Sequence, residues 1–180
     1  DKFFNLATDE IYNAIISLKG QNKKIIILDL DNTLWGGVVG ETGWDGIRLG
    51  GHDHIGEAFV DFQKKIKTLS RCGIQIAVVS KNDEKVALDV FDNHSEMIIK
   101  KSDLAGWRIN WMDKAKNIED LLNEINLGKS SAVFIDDNPV ERERVKMAHK
   151  EILVPDLPND PNLYASFLKK LSCFNISKLS

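Results

Sequence analysis

The sequence KKIIILDLDNTLWGG spans residues 23–37 and joins an apolar run, Ile25–Leu28, to the acids Asp29 and Asp31. A continuous Ile-rich run is typical of a strand buried on both faces, as in the centre of a parallel sheet. Open α/β sheets bind their ligands beyond the carboxyl ends of such strands. The two acids are two residues apart, so an extended backbone would point both to the same side. This stretch therefore predicts a central strand with a site at its end.

The pair Asp29 and Asp31 has two interpretations. Two close carboxylates repel each other unless a cation lies between them or one of them keeps a proton. Both solutions suit catalysis, since hard divalent metals take carboxylate oxygens and a protonated acid can donate its proton. The alternative is a strand that ends in a solvated turn. Thr33 makes the motif D-x-D-x-T, which favours a site over a simple turn.

Composition limits the class of protein. The 180 residues are 43% hydrophobic and 28% charged with 4 prolines, which predicts one domain over residues 1–180. A net charge of -3 with scattered Lys and Arg argues against a nucleic-acid partner. Two cysteines, Cys72 and Cys173, are too few for a disulfide framework and indicate a reducing, cytoplasmic location. No apolar run approaches the roughly 20 residues of a membrane span. The first residues do not resemble a signal peptide and do not include an initiator methionine, so we expect a domain excised from a larger protein.

Strand and helix patterns alternate along the chain. The predicted helices cover 8–19, 55–72, 83–93, 113–126, 139–149 and 159–171, and the predicted strands cover 23–30, 74–79, 97–100, 131–135 and 152–154. This alternation predicts an α/β fold, a Rossmann-like doubly wound and mostly parallel sheet of about five strands. Residues 1–22 are an N-terminal helix and lead-in. Residues 32–54 are a glycine-rich flap loop, with a small hairpin at Gly37–Gly40, and loops of this length are usually functional.

Three predicted strands end in polar clusters, and a fourth cluster starts a helix. The clusters are Asp29, Asp31 and Thr33; Ser80, Lys81 and Asn82; Asp136, Asp137 and Asn138; and Lys114. Equivalent ends of parallel strands lie at one edge of the sheet, so these side chains should converge on one pocket.

The converging side chains have consistent chemistry. Four carboxylates could form an oxygen-rich Mg²⁺ site: Asp29, Asp31, Asp136 and Asp137. Thr33, Ser80 and a lysine supply donors for phosphate oxygens. The combination predicts phosphoryl chemistry, with Asp29 as the nucleophile and Asp31 as the acid/base. The residues alone do not decide whether Lys81 or Lys114 contacts Asp29.

The order DLDNT, VVSKN, a lysine and FIDDN resembles the four-motif set of the haloacid dehalogenase (HAD) superfamily. Longer tracts resemble its FkbH-like subfamily: LDLDNTLWGGVVGE, DGIRLG, SKND, RINWMDKAKNI, FIDDNPVERE and VPDLPNDPNLY. The resemblance implies a Rossmann-like fold with a central first strand and no large cap domain. It also implies roles: Asp29 as nucleophile, Asp31 as acid/base, Thr33 and Ser80 on phosphate, Lys114 as the motif lysine, and Asp136 with Asp137 on Mg²⁺.

The subfamily resemblance implies a specific activity. The chain resembles enzymes that take a glyceryl unit from 1,3-bisphosphoglycerate, remove phosphate and load the acyl group onto an acyl carrier protein for polyketide biosynthesis. One departure is Val79, where the pattern has a cysteine that could carry the glyceryl group. Cys72 lies about seven residues away on the same predicted strand, more than about 20 Å in extended chain. Two alternatives remain. The glyceryl group could pass directly to the carrier thiol, or the protein could be a plain HAD-type small-molecule phosphatase.

Other residues have a functional and a structural interpretation. Lys81, Asn82, Arg108 and Trp35 are candidates for substrate or phosphate binding, and Arg108 could equally be a surface residue. Trp107 and Trp111 could form pocket walls, whereas His52 and His54 are more simply explained as a solvated loop. Glu141–Arg144 reads as an exposed helix face, with Glu141 as a possible support for the Asp136 loop. A receiver-type signalling domain is disfavoured, because its phosphorylated Asp lies on the third strand, which here ends in lysines.

Overall fold

The structure is a computed structural model, and it describes residues 23–174. The predicted helix over 8–19 and the rest of the lead-in over 1–22 lie outside the described residues. None of the described helices is both long enough and apolar enough to span a membrane.

Four parallel strands form one sheet in the order β3-β2-β1-β4. Their bounds are β1 Ile25–Leu28, β2 Gln75–Ser80, β3 Leu104–Ile109 and β4 Ala132–Ile135. β1 is central, since Leu28 pairs with Val78 on one side and with Ile135 on the other. The predicted α/β fold with a parallel sheet is therefore confirmed, with four strands within residues 23–174 where about five were predicted.

Six helices accompany the sheet in the described chain. They are α1 Val39–Thr42, α2 His54–Arg71, α3 Glu84–Asn93, α4 Lys114–Glu124, α5 Pro139–Ala148 and α6 Tyr164–Lys170. Short 3-10 turns occupy Lys101–Asp103, Lys129–Ser131, Pro161–Leu163 and Ser172–Phe174. Four of the helices begin at a side chain that accepts a first-turn N–H, namely Asp53, Asp83, Asp113 and Asn138. Such caps satisfy donors that the helix itself leaves unpaired.

Both faces of the sheet are covered by apolar side chains. Ile26 and Leu28 of β1 belong to a core shared with α2 and α3, where Phe62 and Val90 are buried. Alternate residues of the same strands, such as Ile27, belong to a second core that includes α4 and the α5 residue Val145. This two-sided burial explains why the strand sequences are continuously apolar.

The third strand lies later in the chain than predicted. Residues 97–100 are irregular, although Met97 and Ile99 are buried. The backbone N–H groups of Ile98 and Ile99 donate to Oε1 of the buried Gln63, at 3.0 and 3.2 Å. A side chain of α2 therefore takes the place of a neighbouring strand, and the aromatic segment that follows supplies β3.

Two other predictions differ from the structure. The predicted strand over 152–154 is reduced to one parallel bridge between Val133 and Leu153. Pro155 follows, and its missing N–H prevents a longer ladder. The hairpin predicted at Gly37–Gly40 is also absent, because α1 begins at Val39. The flap is instead closed by an antiparallel bridge between Gly36 and Arg48, with N···O distances of 3.0 and 2.8 Å.

Candidate active site

The polar strand ends converge as the sequence predicted. A pocket of about 210 Å³ lies beyond the carboxyl ends of β1, β2 and β4. Its lining comprises Asp29, Asp31, Asn32, Ser80, Lys81, Lys114, Asp137, Asn138 and Glu141. The pocket therefore collects residues from four separate segments of the chain around the end of the central strand.

Lys114 is the lysine that contacts Asp29. It is the first residue of α4, directly after the cap Asp113, and it is 3% exposed. Its Nζ lies 2.6 Å from Asp136 Oδ2 and 3.0 Å from Asp29 Oδ1. Burial alone would lower the pKa of Lys114, but the charges of Asp29 and Asp136 outweigh it and raise that pKa. The ammonium is thus held charged between two carboxylates.

Three carboxylates form a tight cluster around this ammonium. One oxygen from each of Asp29, Asp136 and Asp137 lies within 4.8 Å of the other two. Burial, together with the charge of Asp29, raises the pKa of Asp136 to about 7, although Lys114 opposes the shift. Burial also raises the pKa of Asp137, with Asp29 again contributing. Within residues 23–174 this is the one group of three acidic, histidine or cysteine side chains close enough to share a metal ion.

The cluster fits a hard divalent cation. Three ionised carboxylates would exceed the single charge of Lys114 by two, and a divalent cation would balance that excess. Oδ1 of Asp29 is buried and receives no aligned hydrogen bond, although Lys114 Nζ is close to it. A buried oxygen in that state is costly unless a further cation or donor serves it. Asp29, Asp136 and Asp137 are therefore the residues that could hold Mg²⁺.

The side chain of Asp31, which was also predicted to be a metal ligand, is not among the three clustered carboxylates. Its Oδ1 accepts from Trp35 Nε1 at 2.9 Å and from Val39 N at 3.1 Å, and its Oδ2 accepts from Asn82 Nδ2 at 2.8 Å. The extended backbone does not persist beyond Leu30, whose carbonyl accepts from three following N–H groups. Burial raises the pKa of Asp31 despite its three donors. The carboxyl is thus oriented separately and favours a proton more than an ordinary Asp.

Thr33 connects the loop after β1 to the loop after β4. The Thr33 hydroxyl accepts a hydrogen bond from Asp137 N at 3.0 Å and donates one to Asp137 Oδ1 at 3.3 Å. The predicted phosphate-binding hydroxyl is therefore occupied with holding the acidic loop after β4. Ser80, at the end of β2, does line the pocket.

The remaining predicted binding residues divide into two groups. Lys81 lines the pocket, where its Nζ lies 2.6 Å from Glu141 Oε1. Trp35 is fully buried and, like Asn82, donates to Asp31, so both orient the acid instead of facing a substrate. Arg108 forms an ion pair with Glu124 at the end of α4 and does not line the pocket.

Arg142 is a site residue that the sequence interpretation missed. It was expected on an exposed helix face, but it is 8% exposed. Its Nη1 donates to the carbonyl oxygens of Asp136 and Asp137, at 2.9 and 2.8 Å. The spacing to Val145 could have revealed it, since residues three apart share one face of a helix. Glu143 and Arg144 are exposed as expected.

The other aromatic, histidine and cysteine candidates lie outside the pocket lining. Trp111 is 75% exposed, which excludes a role as a buried wall. His52 and His54 are exposed on the flap and at the start of α2, as the simpler interpretation expected. Cys72 is exposed at the opposite end of β2, and Val79 is fully buried.

Comparison with solved structures identifies the fold. The chain is similar to the N-terminal part of the protein BF1531 from Bacteroides fragilis, described as containing a phosphatase domain and complexed with Mg. The two are 43% identical with a TM-score of 0.86, and the match covers 92% of this chain and 43% of that chain. The chain thus spans less than half the length of this relative. No protein-family model matches the chain, and no curated protein matches it significantly.

Two more distant structures share the fold alone. A HAD-superfamily hydrolase of subfamily IA from Geobacter sulfurreducens is 12% identical with a TM-score of 0.52, over 81% of this chain and 96% of that chain. A HAD family enzyme from Bacteroides thetaiotaomicron, in complex with magnesium and inorganic phosphate, is 12% identical with a TM-score of 0.52. The match covers 77% of this chain and 95% of that chain. The chain therefore has the fold of the HAD-superfamily phosphatases, as the sequence resemblance implies.

Proposed function

We propose that this HAD-fold chain is a Mg²⁺-dependent phosphatase in which Asp29 is the nucleophile. The observation that supports this most directly is the buried contact of Lys114 with both Asp29 and Asp136, beside Asp137. A surface turn would not need a buried ammonium between two acids. The magnesium-bound phosphatase domain of the 43% identical relative is consistent with the same chemistry.

The proposed reaction has two displacements at phosphorus. An oxygen of Asp29 attacks the phosphorus of the substrate, and the bond from phosphorus to the leaving oxygen breaks. Asp31 donates its proton to the leaving oxygen, so an alcohol departs and a phosphoryl group remains on Asp29. Water then attacks the phosphorus and gives a proton to Asp31. Inorganic phosphate is released and both acids return to their starting states.

The neighbouring residues support these steps. Lys114 reduces the charge repulsion between the Asp29 carboxylate and an incoming phosphate dianion. Trp35 and Asn82 hold Asp31 in one orientation, and its burial favours the protonated form that the first displacement uses. Mg²⁺ held by Asp29, Asp136 and Asp137 would neutralise phosphate oxygens and orient the phosphoryl group for in-line attack.

The test is phosphate release from p-nitrophenyl phosphate. We expect release that requires Mg²⁺, stops with EDTA and returns when Mg²⁺ is restored. Intact mass spectrometry after an acid quench should detect one added phosphoryl group, and peptide mapping should locate it on Asp29. Release that continues in EDTA, or a phosphoryl group on another residue, would contradict the proposal.

A second candidate is glyceryl transfer, which the long FkbH-like tracts favour. In that version a carrier-protein thiolate displaces phosphate from the acyl phosphate of 1,3-bisphosphoglycerate and forms a thioester. Asp29 then removes the remaining phosphate by the steps above. With Val79 buried and Cys72 at the far end of β2, neither position offers a thiol at the pocket, so the acyl group would pass directly to the carrier.

Intact mass spectrometry of a phosphopantetheinylated acyl carrier protein distinguishes the two candidates. The protein is incubated with Mg²⁺, the carrier and 1,3-bisphosphoglycerate made in situ. A glyceryl increment on the carrier would establish transfer. Phosphate release with an unmodified carrier would contradict glyceryl transfer and support the phosphatase.

A further inference from the structure

The side chain of Gln63 is a buried amide that the proposed mechanism does not use. It lies in the middle of α2, is fully buried, and stands between the buried residues Phe62 and Ile66 along the helix. A buried amide is costly unless both its oxygen and its nitrogen find hydrogen-bond partners. An apolar side chain would fill a core position without that condition. The partners of Gln63 therefore indicate what an amide contributes at this place.

The amide makes contacts in two directions. Its Oε1 accepts from the backbone N–H groups of Ile98 and Ile99 at 3.0 and 3.2 Å. Its Nε2 donates to the Leu34 carbonyl oxygen at 2.8 Å and lies 3.4 Å from Met97 Sδ. The reverse orientation of the amide would place its NH2 group against two N–H donors, so these partners allow only one orientation. Gln63 thus joins α2 to two segments that are distant from it in sequence.

The two ends of the amide have different requirements. The N–H groups of residues 98 and 99 need only an acceptor, which a carboxylate would also supply. The Leu34 carbonyl needs a donor, and an ionised carboxylate has none. The contact with Leu34 is therefore the one for which an amide is required.

Leu34 belongs to the loop after β1, which carries Asp31. Its N–H donates to the Leu30 carbonyl at 2.7 Å, and its carbonyl accepts from Gln63. The peptide groups on both sides of Leu34 are thereby held, and the next residue is Trp35. The Trp35 indole Nε1 donates to Asp31 Oδ1 at 2.9 Å. Gln63 consequently orients the peptide group from which the indole reaches the acid.

Asp31 has two further donors, and both come from other parts of the chain. Asn82, beyond the end of β2, donates to Oδ2, and the backbone N–H of Val39 in α1 donates to Oδ1. Loss of the Gln63 contact would loosen the indole and leave the carboxyl partly held. We therefore expect a graded effect on Asp31 instead of a complete loss of its function.

We propose that Gln63 is a positioning residue for Asp31 and acts through the Leu34 carbonyl and the Trp35 indole. The inference rests on the proposed phosphatase function, in which Asp31 protonates the leaving oxygen. A displaced acid slows the departure of a basic leaving group most, because that group needs the proton as it departs. A residue that only stabilises the core would slow all substrates alike.

The test compares phenyl phosphate with p-nitrophenyl phosphate. Phenoxide is the more basic leaving group, so phenyl phosphate depends more on the proton from Asp31. The value of kcat/KM covers the steps up to departure of the leaving group. We call kcat/KM for phenyl phosphate divided by kcat/KM for p-nitrophenyl phosphate the leaving-group ratio. Asp31→Asn, which removes the acid, should lower this ratio strongly and so defines the full effect.

Gln63→Met removes both the donor and the acceptor. We expect it to lower the leaving-group ratio about fivefold, the size of effect typical of one hydrogen bond. Ile66→Val is the control, since it removes one buried carbon a turn further along α2 and no hydrogen bond. The control should keep the wild-type ratio even if it unfolds at a lower temperature.

Gln63→Glu is the conservative variant, and it can restore the missing donor. At about pH 6 a buried Glu keeps its proton, and its hydroxyl can donate to the Leu34 carbonyl. We therefore expect the wild-type leaving-group ratio at that pH. As the pH rises and the Glu ionises, two oxygens face each other, and the ratio should fall below that of the wild type at the same pH. Circular dichroism at each pH checks that the variant is folded.

Two measurements test the route through Trp35. Trp35→Phe keeps an aromatic ring but loses the indole N–H, so adding Gln63→Met to it should lower the ratio no further. Additive losses would contradict the route. The indole N–H resonance of Trp35 in protein with isotope-labelled tryptophan, assigned by its loss in Trp35→Phe, needs no activity. It should shift in Gln63→Met and stay in place in Ile66→Val.

The outcomes separate this inference from the proposed function. A wild-type leaving-group ratio in folded Gln63→Met, or an indole resonance that does not shift, would overturn the inference and leave the phosphatase proposal standing. If Gln63→Met does not fold, the pH dependence of Gln63→Glu decides, and a ratio that is low at about pH 6 would equally overturn the inference. If the wild type hydrolyses neither phosphate, the phosphatase proposal fails and this inference falls with it.

Discussion

Two lysines line the active-site pocket, and they lie in very different surroundings. Lys114 has a side chain that is 4% exposed and lies against two carboxylates, Asp29 and Asp136. Lys81 has a side chain that is 37% exposed and lies against one, Glu141. We call these the buried side and the open side of the pocket. Water screens a charge pair on the open side much more than the one on the buried side.

The comparison teaches that burial distinguishes a charge that is compensated within the protein from a solvent-screened charge of the same type. On the buried side, each charged group is needed to compensate another, so removing one leaves an uncompensated charge. On the open side, solvent replaces a lost partner at little cost. Both lysines follow polar sequence clusters, so residue type alone does not distinguish them. The following variants probe the difference, beginning with the largest expected effect.

Asp29→Asn should abolish activity on the buried side. An amide is a poor nucleophile, so we expect a loss of about 10⁴-fold or more in kcat with p-nitrophenyl phosphate. No phosphoryl group should accumulate on the variant in acid-quenched mass spectra. Turnover that is Mg²⁺-dependent and undiminished in this variant would show that another residue is the nucleophile.

Lys114→Met should lose both activity and stability. It removes the cation between Asp29 and Asp136, so we expect kcat to fall about 10²- to 10³-fold. Breaking a buried pair typically costs about 3 kcal/mol, measured as the free energy of unfolding in urea without Mg²⁺. Added Mg²⁺ should recover part of this loss, because a divalent cation can also neutralise the acids. A variant with wild-type activity would remove Lys114 from the mechanism.

Arg142→Met should weaken metal binding more than it slows the chemistry. Arg142 holds the carbonyl groups of Asp136 and Asp137, and groups behind metal ligands typically contribute about 10- to 100-fold in metal affinity. We expect a corresponding rise in the Mg²⁺ dissociation constant measured by calorimetry, and recovery of most of kcat at saturating Mg²⁺. Lys150→Met, an exposed residue just after α5, is the control. An unchanged Mg²⁺ affinity in Arg142→Met would show that the arginine is only structural.

The contrast between the two lysines could not be predicted from the sequence, but much of the candidate site could, because it depends on where strands end. The apolar run Ile25–Leu28 predicted β1, and the acids that follow β1 and β4 predicted a site of four carboxylates, three of which lie together: Asp29, Asp136 and Asp137. Strand ends are determined by local pattern, and parallel pairing then brings them together. The fold and the main acids of the site were therefore accessible without coordinates.

The rest depends on how the chain turns after each strand. The sequence did not reveal that the backbone bends at Leu30 and directs Asp31 to Trp35 and Asn82. Neither did it show that the buried Gln63 would satisfy the backbone of residues 98–99 and so displace the third strand. In both places a side chain distant in sequence satisfies a group that local patterns leave open. Periodicity carries no information about such contacts.

Lys81→Gln should have the smallest effect, and it tests the open side directly. The ion pair with Glu141 is partly exposed, so we expect a change of less than about 1 kcal/mol in the free energy of unfolding. We expect kcat/KM for p-nitrophenyl phosphate to fall by less than about fivefold. The Lys81 ammonium is paired with Glu141, and solvent can take its place when it is removed. Glu141→Gln is the matched partner variant and should behave alike. If Lys81→Gln lost as much activity as Lys114→Met, exposure would not distinguish the two lysines, and Lys81 would belong to the catalytic machinery.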